Sequence, residues 1–339
     1  MIRLPSFSFD AVWGAIPNNA VDNQSLLSEL IGPAKAAAVV KSTGFTTRRA
    51  MAPGGTVYDL MLTAARAALN GVDPQSLGGV VVVTFSSPER FPALSVRLQA
   101  ALGLSPSIAA LDLQLACGGY PYGLLVAGQL AAMTGKRVLL LDGDVQSAHV
   151  DVADPATLAV MSDAATATLV SAPVNSDVAT SASFAFYTDG TGGDVLRCGA
   201  DDKIRMDGFG VFRFVAGPVV KFLREFLAEV PAPKYFVPHQ ANLYMVRQLA
   251  KSLNLESQLL TSGERFANPG SCSVALTLAA CPSAQLQGSA LLAGFGAGLA
   301  ASAVSLVVPP TCRRGIVELD VLSESEKPET VPVQREMEF

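Results

Sequence analysis

Cys117 lies where an apolar, strand-like segment gives way to an uncharged helical one. The residues Leu-Ala precede it, and Gly118, Gly119 and Pro121 follow. Proline is favoured in the first turn of a helix, so the pattern predicts a thiol at a helix N-terminus. The free N–H groups and the positive dipole end found there favour a thiolate, the nucleophilic form of cysteine. From this segment alone, a nucleophile and a buried core cysteine are equally good interpretations.

A histidine and an asparagine occupy comparable corners further along the chain. His239, one of two histidines, stands in Pro-His-Gln-Ala-Asn between an apolar strand and a helical segment. An imidazole in that position can donate a hydrogen bond to a developing oxyanion or move a proton. Asn268 precedes an apolar helix, where capping is its ordinary role. Taken alone, both residues are better explained as structural, and so is His149, which has no such corner.

The elements that would position these residues alternate between strand-like and helical patterns, which is typical of an α/β fold. Apolar runs rich in β-branched residues predict strands at 79–85, 108–113, 137–141, 167–170, 235–237 and 290–294. Apolar positions at three- and four-residue spacing predict helices at 57–69, 91–102, 122–133, 212–227 and 243–253. Helices should therefore cover both faces of the sheets.

The chain is predicted to contain two halves of similar length and a C-terminal extension. A turn-rich segment at 171–177 separates the corner at Cys117 from the corner at His239. We place an N-terminal half at 1–172, a C-terminal half at 173–310 and the extension at 311–339. The extension loses the hydrophobic pattern and is rich in Glu, Ser, Pro and Lys, so its end is predicted to be mobile.

Composition excludes several classes of protein. A chain of 339 residues that is 50% hydrophobic can bury a large core, and its net charge of −5 gives no broad footprint for nucleic acid. The five cysteines form no CxxC pair and leave one over, which indicates neither a disulfide framework nor a zinc knuckle. With no secretory signal at the N-terminus, we expect a cytoplasmic protein.

Two stretches without charged residues, 113–135 and 289–308, are long enough to raise the question of membrane insertion. Gly118, Gly119 and Pro121 interrupt the first, and three glycines interrupt the second. Buried strands next to tight turns explain both stretches better, so no membrane is expected. The glycines at 294–298 are followed by a strand-like segment and no helix, which argues against a dinucleotide site.

Four motifs that follow one another along the chain favour functional roles for Cys117, His239 and Asn268. They are Ala-Cys-Gly-Gly at 116–119, Val-Pro-His-Gln-Ala-Asn at 237–242, Ala-Asn-Pro-Gly-Ser at 267–271 and Gly-Phe-Gly-Ala-Gly at 294–298. Together they resemble β-ketoacyl-acyl-carrier-protein synthase III of the thiolase superfamily. The resemblance covers roughly residues 1–309.

The resemblance implies a thiolase-like fold with a duplicated, five-layered αβαβα architecture, and a homodimer formed across the strand before the nucleophile helix. Cys117 would take an acyl group from a thioester. His239 and Asn268 would stabilise the enolate formed when a malonyl thioester loses carbon dioxide, and that carbanion would attack the acyl group. The backbone N–H groups of Cys117 and Ala297 would hold the tetrahedral oxyanion. No cofactor or metal is implied beyond the thioesters of acyl carrier protein or coenzyme A.

Further positions acquire roles from the same resemblance. Phe91 matches a residue that reaches the partner's acyl tunnel and limits chain length. Three basic residues on predicted helices beside the tunnel mouth, together with an asparagine at the second corner, would bind the carrier; these are Arg213, Arg247, Lys251 and Asn242. Tyr244 stands where the family often places a docking arginine.

Several positions depart from the family pattern. Pro269 and Gly270 follow Asn268 where Thr-Ser is usual, so the position of that amide is in question. Ala297 lies within a glycine run, but only its backbone amide is required.

The coenzyme A site is altered at three places. Ala38 occupies the position of a tryptophan that stacks on adenine in the family. Ser42 replaces an arginine that contacts phosphate, and Phe209 replaces an asparagine near the pantetheine. We therefore expect a carrier protein to be the better acyl donor.

The leading hypothesis is decarboxylative condensation on thioesters, in a specialised pathway. Acyl transfer from Cys117 to an oxygen or nitrogen nucleophile would also use Cys117 and His239, and a non-catalytic subunit of a heterodimeric synthase is a third possibility. The sequence leaves open the acyl chain length, its branching, the extender unit and the pathway.

Overall fold

The computed structural model describes residues 1–4, 7–172, 181–281 and 286–320. Its strands are β1 (Ile2–Leu4), β2 (Ser8–Pro17), β3 (Ala20–Asp22), β4 (Thr47–Arg49), β5 (Leu77–Val83), β6 (Ala109–Leu113), β7 (Arg137–Val145), β8 (Asp163–Ser171), β9 (Ala182–Thr188), β10 (Leu196–Cys198), β11 (Ile204–Met206), β12 (Tyr235–Pro238), β13 (Gly288–Gly296), β14 (Ala300–Val308) and β15 (Arg313–Leu319). Its helices are α1 (Asn23–Ile31), α2 (Pro33–Thr43), α3 (Val57–Ala68), α4 (Leu94–Ala101), α5 (Gly119–Thr134), α6 (Pro155–Leu158), α7 (Gly208–Phe214), α8 (Val220–Leu227), α9 (Leu243–Leu253), α10 (Gly263–Phe266) and α11 (Ser273–Ala280).

Two sheets and three helical layers stack into a five-layered αβαβα arrangement, as expected. The first sheet has six strands in the order β15-β2-β8-β7-β5-β6, and the second has five in the order β1-β9-β14-β13-β12. Helices α5 and α11 lie between the sheets. Helices α3 and α4 cover the outer face of the first sheet, and α8 and α9 cover that of the second.

Strand β5 shows why this sequence forms a buried layer. It is parallel to both neighbours, and all its residues are buried. Val81 and Val83 pack in the central layer with α5, whereas Val80 and Val82 pack against α3. Because both faces are covered, the strand is apolar throughout, and burying each valine contributes about 1.5–3 kcal/mol.

The predicted elements correspond to observed ones. The charge-free stretch at 113–135 contains α5, and the stretch at 289–308 forms the antiparallel hairpin β13–β14. Across the part of the chain that the structure describes, no helix is long and apolar enough to span a bilayer. Strands β1–β4, β9–β11 and β15 were not predicted.

The start of the C-terminal extension is built into the first sheet. Strand β15 pairs in parallel with β2, from Arg313 beside Ala11 to Leu319 beside Pro17. The Arg313 guanidinium also donates to the carbonyls of Ala68 and Asn70 at the end of α3, at 2.8 and 3.1 Å. The predicted mobility of the chain end falls on 321–339, and most of the predicted boundary segment 171–177 falls on 173–177; both lie outside the described residues.

Candidate active site

Cys117 lies at the N-terminus of α5, as the sequence predicts. Four residues after β6 ends, the chain turns through a hydrogen bond from the Gly119 amide to the Ala116 carbonyl at 2.7 Å. A Cβ atom at Gly119 would lie 2.4 Å from a methyl group of Val83, so glycine is required where the helix meets β5. Cys117 is 6% exposed, so its thiol is largely shielded from solvent.

The thiol of Cys117 is protonated at rest, which corrects the expectation of a thiolate. Burial raises its pKa from 9.0 to about 12, and the nearby carboxyl groups of Asp144 and Asp142 act in the same direction. A helix N-terminus stabilises a negative charge by at most about 2 kcal/mol, equivalent to roughly 1.5 pKa units. The loss of solvation is therefore the larger effect, and the attacking sulfur must lose its proton during the reaction.

The hairpin β13–β14 forms the wall against which Cys117 packs. A Cβ atom at Gly296 would lie 2.8 Å from the Cys117 Cβ atom and 3.4 Å from its Sγ atom. On the other strand, the Ser302 hydroxyl donates to the Gly118 carbonyl at 2.7 Å. Half-buried Ala297 follows Gly296 directly, in the turn of the hairpin. The geometry thus places the Ala297 turn beside the nucleophile.

His239 reaches the same hairpin from strand β12. Its backbone N–H donates to the Ala293 carbonyl at 2.7 Å, and its ring lies edge-on to Phe295 with the centroids 5.4 Å apart. The imidazole Nδ1 atom is 2.7 Å from the Ser273 hydroxyl, which also accepts from the Gln240 amide at 3.3 Å. The Ser273 hydroxyl keeps its own proton and can donate it to Nδ1. The contact is thus compatible with the tautomer in which Nε2 carries the proton.

The imidazole of His239 is neutral over the physiological pH range. Burial lowers its pKa from 6.5 to about 3, although a hydrogen bond to the Gly270 carbonyl acts in the opposite direction. A neutral imidazole donates a hydrogen bond through Nε2 without being a strong acid. The residue is therefore suited to stabilising an oxyanion without protonating it.

Asn268 is buried in the loop between α10 and α11, and its amide is fixed. Its Oδ1 atom accepts from the Gly270 amide at 2.9 Å, which leaves Nδ2 as the donor that can serve a ligand. Its backbone carbonyl accepts from the Ser162 amide at 2.9 Å and from Gln146 Nε2 at 2.7 Å. The Pro269-Gly270 departure thus provides a tight turn that orients the amide.

The loop after Asn268 also requires a glycine at position 270. Gly270 adopts a φ of +68°, and a Cβ atom there would lie 2.9 Å from Asp144 Oδ2. A side chain would be strained by the backbone conformation and would also contact a buried carboxyl group. Gly270, which departs from the family pattern, therefore fits the local backbone conformation of this chain.

The three candidate residues are brought together by one strand and one loop. Cys117 packs on Gly296, and His239 packs on Ala293 and Phe295, all on β13. Gly270, whose amide fixes Asn268, also contacts the His239 imidazole. The site combines a thiol nucleophile with two neutral N–H donors.

Sequence reasoning missed the buried polar groups that support this site. Asp144 accepts from the Thr84 hydroxyl and the Phe85 amide, each at 2.9 Å, and from the Ser271 hydroxyl at 2.7 Å. It thereby joins the end of β7 to the loop that carries Asn268. Burial raises the pKa of Asp144, and that of its neighbour Asp142 is raised well above its ordinary value. Two acidic residues inside an apolar strand were the available signal.

The residues predicted to bind the carrier lie around α7 and α9. Arg213, Arg247 and Lys251 are all exposed. Arg247 pairs with Glu264 at 3.1 Å, and Arg213 lies over the Phe209 ring at 6.0 Å.

Asn242 is the N-cap of α9, because its Oδ1 atom accepts from the Met245 amide at 2.7 Å. A groove of about 140 Å³ between these helices is lined in part by Phe212, Tyr244 and Met245.

The other predicted binding positions are at the surface. Phe91 is 86% exposed and lies between β5 and α4. Ala38 and Ser42 are exposed on α2, which contacts α9. Phe209 is 69% exposed at the start of α7. None of these side chains contributes to the cluster around Cys117.

Comparison with known proteins gives matches in both halves of the chain. The family model for 3-oxoacyl-[acyl-carrier-protein (ACP)] synthase III matches residues 111–190, and that for the C-terminal part of the same enzyme matches residues 230–308. A protein of Streptomyces coelicolor, β-ketoacyl-[acyl-carrier-protein] synthase III 2, is 32% identical over 305 residues, covering 86% of this chain and 91% of that protein. A β-ketoacyl-[acyl-carrier-protein] synthase III of Listeria welshimeri is 30% identical, covering 76% of this chain and 85% of that protein.

Solved structures resemble the chain along nearly its whole length. A 3-oxoacyl-(acyl-carrier protein) synthase from Burkholderia xenovorans has a TM-score of 0.89 at 26% identity, covering 94% of this chain and 98% of the other. The priming β-ketosynthase from the R1128 polyketide biosynthetic pathway has a TM-score of 0.79 at 28% identity, covering 91% of this chain and 98% of the other. The resemblance inferred from the four motifs is thus confirmed by independent matches.

Proposed function

The chain belongs to the β-ketoacyl-[acyl-carrier-protein] synthase III family, and on this premise we propose that it joins an acyl group on Cys117 to a malonyl-type thioester by decarboxylative condensation. One observation carries the proposal: Cys117 and His239 both pack on β13, and the Gly270 turn that fixes the Asn268 amide also contacts the His239 imidazole. A nucleophile beside two neutral hydrogen-bond donors meets the needs of both acylation and enolate stabilisation.

In the first half of the reaction, the sulfur of Cys117 attacks the carbonyl carbon of an acyl thioester. The carbon–sulfur bond to the carrier breaks, and the proton of the Cys117 thiol ends on the departing carrier thiol. No net charge is left in the buried site, which matters because burial strongly disfavours a thiolate there. The backbone N–H groups of Cys117 and Ala297 would hold the tetrahedral oxyanion between these two events.

In the second half, a malonyl thioester loses carbon dioxide, and the electron pair moves onto the thioester oxygen as an enolate. The Nε2–H group of His239 and the Nδ2–H group of Asn268 would donate to that oxygen. Since the imidazole is neutral, it stabilises the enolate without quenching it. The enolate carbon then attacks the acyl group, and Cys117 leaves as a thiolate that takes up a proton.

We also propose that the acyl and malonyl groups arrive on an acyl carrier protein. Arg213, Arg247 and Lys251 present positive charge on the helices that border an apolar groove, and a carrier protein is acidic. The exposed positions Ala38 and Ser42 offer neither an aromatic ring for adenine nor a cation for phosphate. These features favour a protein carrier over coenzyme A.

We further propose that the protein is a homodimer and acts in the cytoplasm. Strand β6 is the last strand of its sheet and is only half buried, and an unpaired edge offers its N–H and C=O groups to a strand of a second chain. The exposed ring of Phe91 would then extend toward the partner's acyl tunnel. The five cysteines are all free, which suits a reducing compartment.

Product analysis tests the condensation directly. The purified chain is incubated with an acylated and a malonylated carrier protein, and we expect carbon dioxide and a β-ketoacyl product. An ester or amide formed from a supplied alcohol or amine, without carbon dioxide, would instead establish acyl transfer. Absence of acylation on Cys117 would favour the non-catalytic subunit.

Two variants test whether formation of the β-ketoacyl product depends on His239 and Asn268. His239→Ala and Asn268→Ala should lower release of carbon dioxide roughly 100- to 1000-fold while Cys117 is still acylated, because enolate stabilisation is needed only in the second half. Asn70→Ala removes an exposed asparagine amide distant from the site and serves as the matched control. Unchanged carbon dioxide release in Asn268→Ala would contradict the role given to this amide.

A further inference from the structure

A histidine, a cysteine and an aspartate meet at the surface in a cluster that the condensation does not use. His149 ends the short helical turn after β7, Cys198 ends β10, and Asp202 lies in the turn between β10 and β11. One ligand atom from each residue lies within 4.8 Å of the other two. Among the described residues, this is the one such group of three. We propose that it binds a transition-metal cation of the zinc class.

The spacing of the cluster suits a tetrahedral ion. The Nδ1 atom of His149 is 3.5 Å from Asp202 Oδ1. Two ligands at about 2.0–2.1 Å from a tetrahedral zinc ion lie roughly 3.4 Å apart, which agrees with that separation. With a zinc–sulfur bond of about 2.3 Å, the sulfur of a tetrahedral site lies roughly 3.6 Å from the other ligand atoms. The Cys198 sulfur lies within 4.8 Å of both partners, so it has to move by roughly 1.2 Å at most. The ligand atoms can therefore reach a shared ion by side-chain rotation.

The donor set selects the class of cation. Calcium and magnesium prefer shells of oxygen atoms, whereas an imidazole nitrogen with a thiolate sulfur suits zinc and its neighbours in the first transition row. Three protein ligands leave a fourth position for water or another small ligand. Because Cys198 and Asp202 are exposed, the fourth position faces solvent.

Neighbouring charges compensate one another around the cluster. Asp201 makes a two-pronged ion pair with Arg205, at 2.8 and 2.5 Å, and so is already engaged. Lys203 reaches toward the Val150 carbonyl at 3.5 Å. The ring of Phe85 packs on His149 with the centroids 5.5 Å apart, which restricts the imidazole.

Two adjustments accompany binding. Nδ1 of His149 also lies 3.1 Å from the Asp202 carbonyl oxygen, and this contact would be exchanged for the metal bond. The Cys198 thiol would lose its proton, so affinity should increase with pH. The sequence offered no warning of the site, because His149 and Cys198 lie 49 positions apart in the chain. A hairpin turn brings the third ligand back to the first two.

Cobalt(II) provides a direct probe, since a thiolate bound to it gives an absorption band in the near ultraviolet, and tetrahedral coordination gives strong visible bands. The full-length chain is titrated with Co²⁺, and then Zn²⁺ is added. We expect saturation at one ion per chain and displacement of Co²⁺ by an equal amount of Zn²⁺. Absence of the thiolate band in the native chain would overturn the proposal.

Variants assign the ligands. Cys198→Ser should abolish the near-ultraviolet band, and His149→Gln and Asp202→Asn should each weaken binding at least about tenfold. Asparagine suits the left-handed conformation at position 202, where φ is 61°, so that variant should fold. Asp201→Asn and Cys281→Ser are matched controls that should bind Co²⁺ as the native chain does. A band that persists in Cys198→Ser, or equal losses in Asp201→Asn and Asp202→Asn, would overturn the assignment.

Discussion

Gly296→Ala is predicted to displace the nucleophile by a small, calculable amount. The added Cβ atom would lie 2.8 Å from the Cys117 Cβ atom and 3.4 Å from its Sγ atom. Carbon atoms pack best at about 3.5–4.0 Å, so the two groups must separate by roughly 0.7 Å or more. Neither side yields easily, since Gly296 is paired with Ala300 in the hairpin and Ser302 holds Gly118 at 2.7 Å.

The expected loss follows from that displacement. A shift of about 1 Å in a reacting group can cost on the order of 100-fold in rate, and overpacking a core costs about 1–3 kcal/mol of unfolding free energy. We therefore expect Gly296→Ala to fold with a lower Tm and to acylate Cys117 roughly 100-fold more slowly. The variant tests the close contact between strand and nucleophile without removing any functional group.

The assay follows acylation of Cys117 by intact-mass spectrometry over time, with one acylated carrier protein as donor. Gly190→Ala is the matched control, because a Cβ atom there meets no atom within 4 Å, and it should acylate at the native rate. Circular dichroism and a thermal melt establish that both variants are folded. A folded Gly296→Ala chain that acylates within a few-fold of the native rate would refute the reasoning.

Three further predictions concern the protonation of the Cys117 thiol, the tautomer of the His239 imidazole and the identity of the acyl donor. Because burial raises the pKa of the Cys117 thiol to about 12, its alkylation by iodoacetamide should keep rising through pH 9, whereas a plateau near pH 7 would show a thiolate at rest. Ser273→Ala removes the group that holds His239 Nδ1, and should lower decarboxylation roughly tenfold or more while acylation persists; equal losses in both steps would contradict a role through the imidazole. An acylated carrier protein should acylate Cys117 faster than the matching acyl-coenzyme A, since a stacked base alone is worth ~1–3 kcal/mol and Ala38 cannot stack; equal rates would contradict this expectation.

Local patterns in the sequence were sufficient to predict an α/β fold with helices on both faces of the sheets, and the corners that carry Cys117 and His239; the five-layered arrangement was implied by the family resemblance. The run Val80–Val83 is apolar because β5 is covered on both faces, and the glycines and proline around Cys117 indicate the start of a helix. Strand β2 escaped prediction although many of its residues are buried. Its sequence mixes Gly, Ala, Asp and Trp, and its place in the sheet is set by pairing with β8 and β15.

The fine structure of the site depends on contacts between distant segments. Gln146 reaches the carbonyl of Asn268, 122 residues away, and Asp144 reaches Ser271 across 127 residues. Neither pair has a periodicity or a motif that marks it in advance. The protonation state of Cys117 was also misjudged, because the helix N-terminus is visible in the sequence whereas the depth of burial is a tertiary property.

The central claim is that Cys117 is the residue that carries the acyl group. Intact-mass spectrometry of the purified chain, incubated with an acylated carrier protein and then digested for peptide mapping, measures this directly. The account predicts one acyl group per chain, mapped to Cys117, absent from Cys117→Ala and discharged as a β-ketoacyl product when a malonyl thioester is added. An adduct that survives in Cys117→Ala, or that maps to another cysteine, would contradict the account.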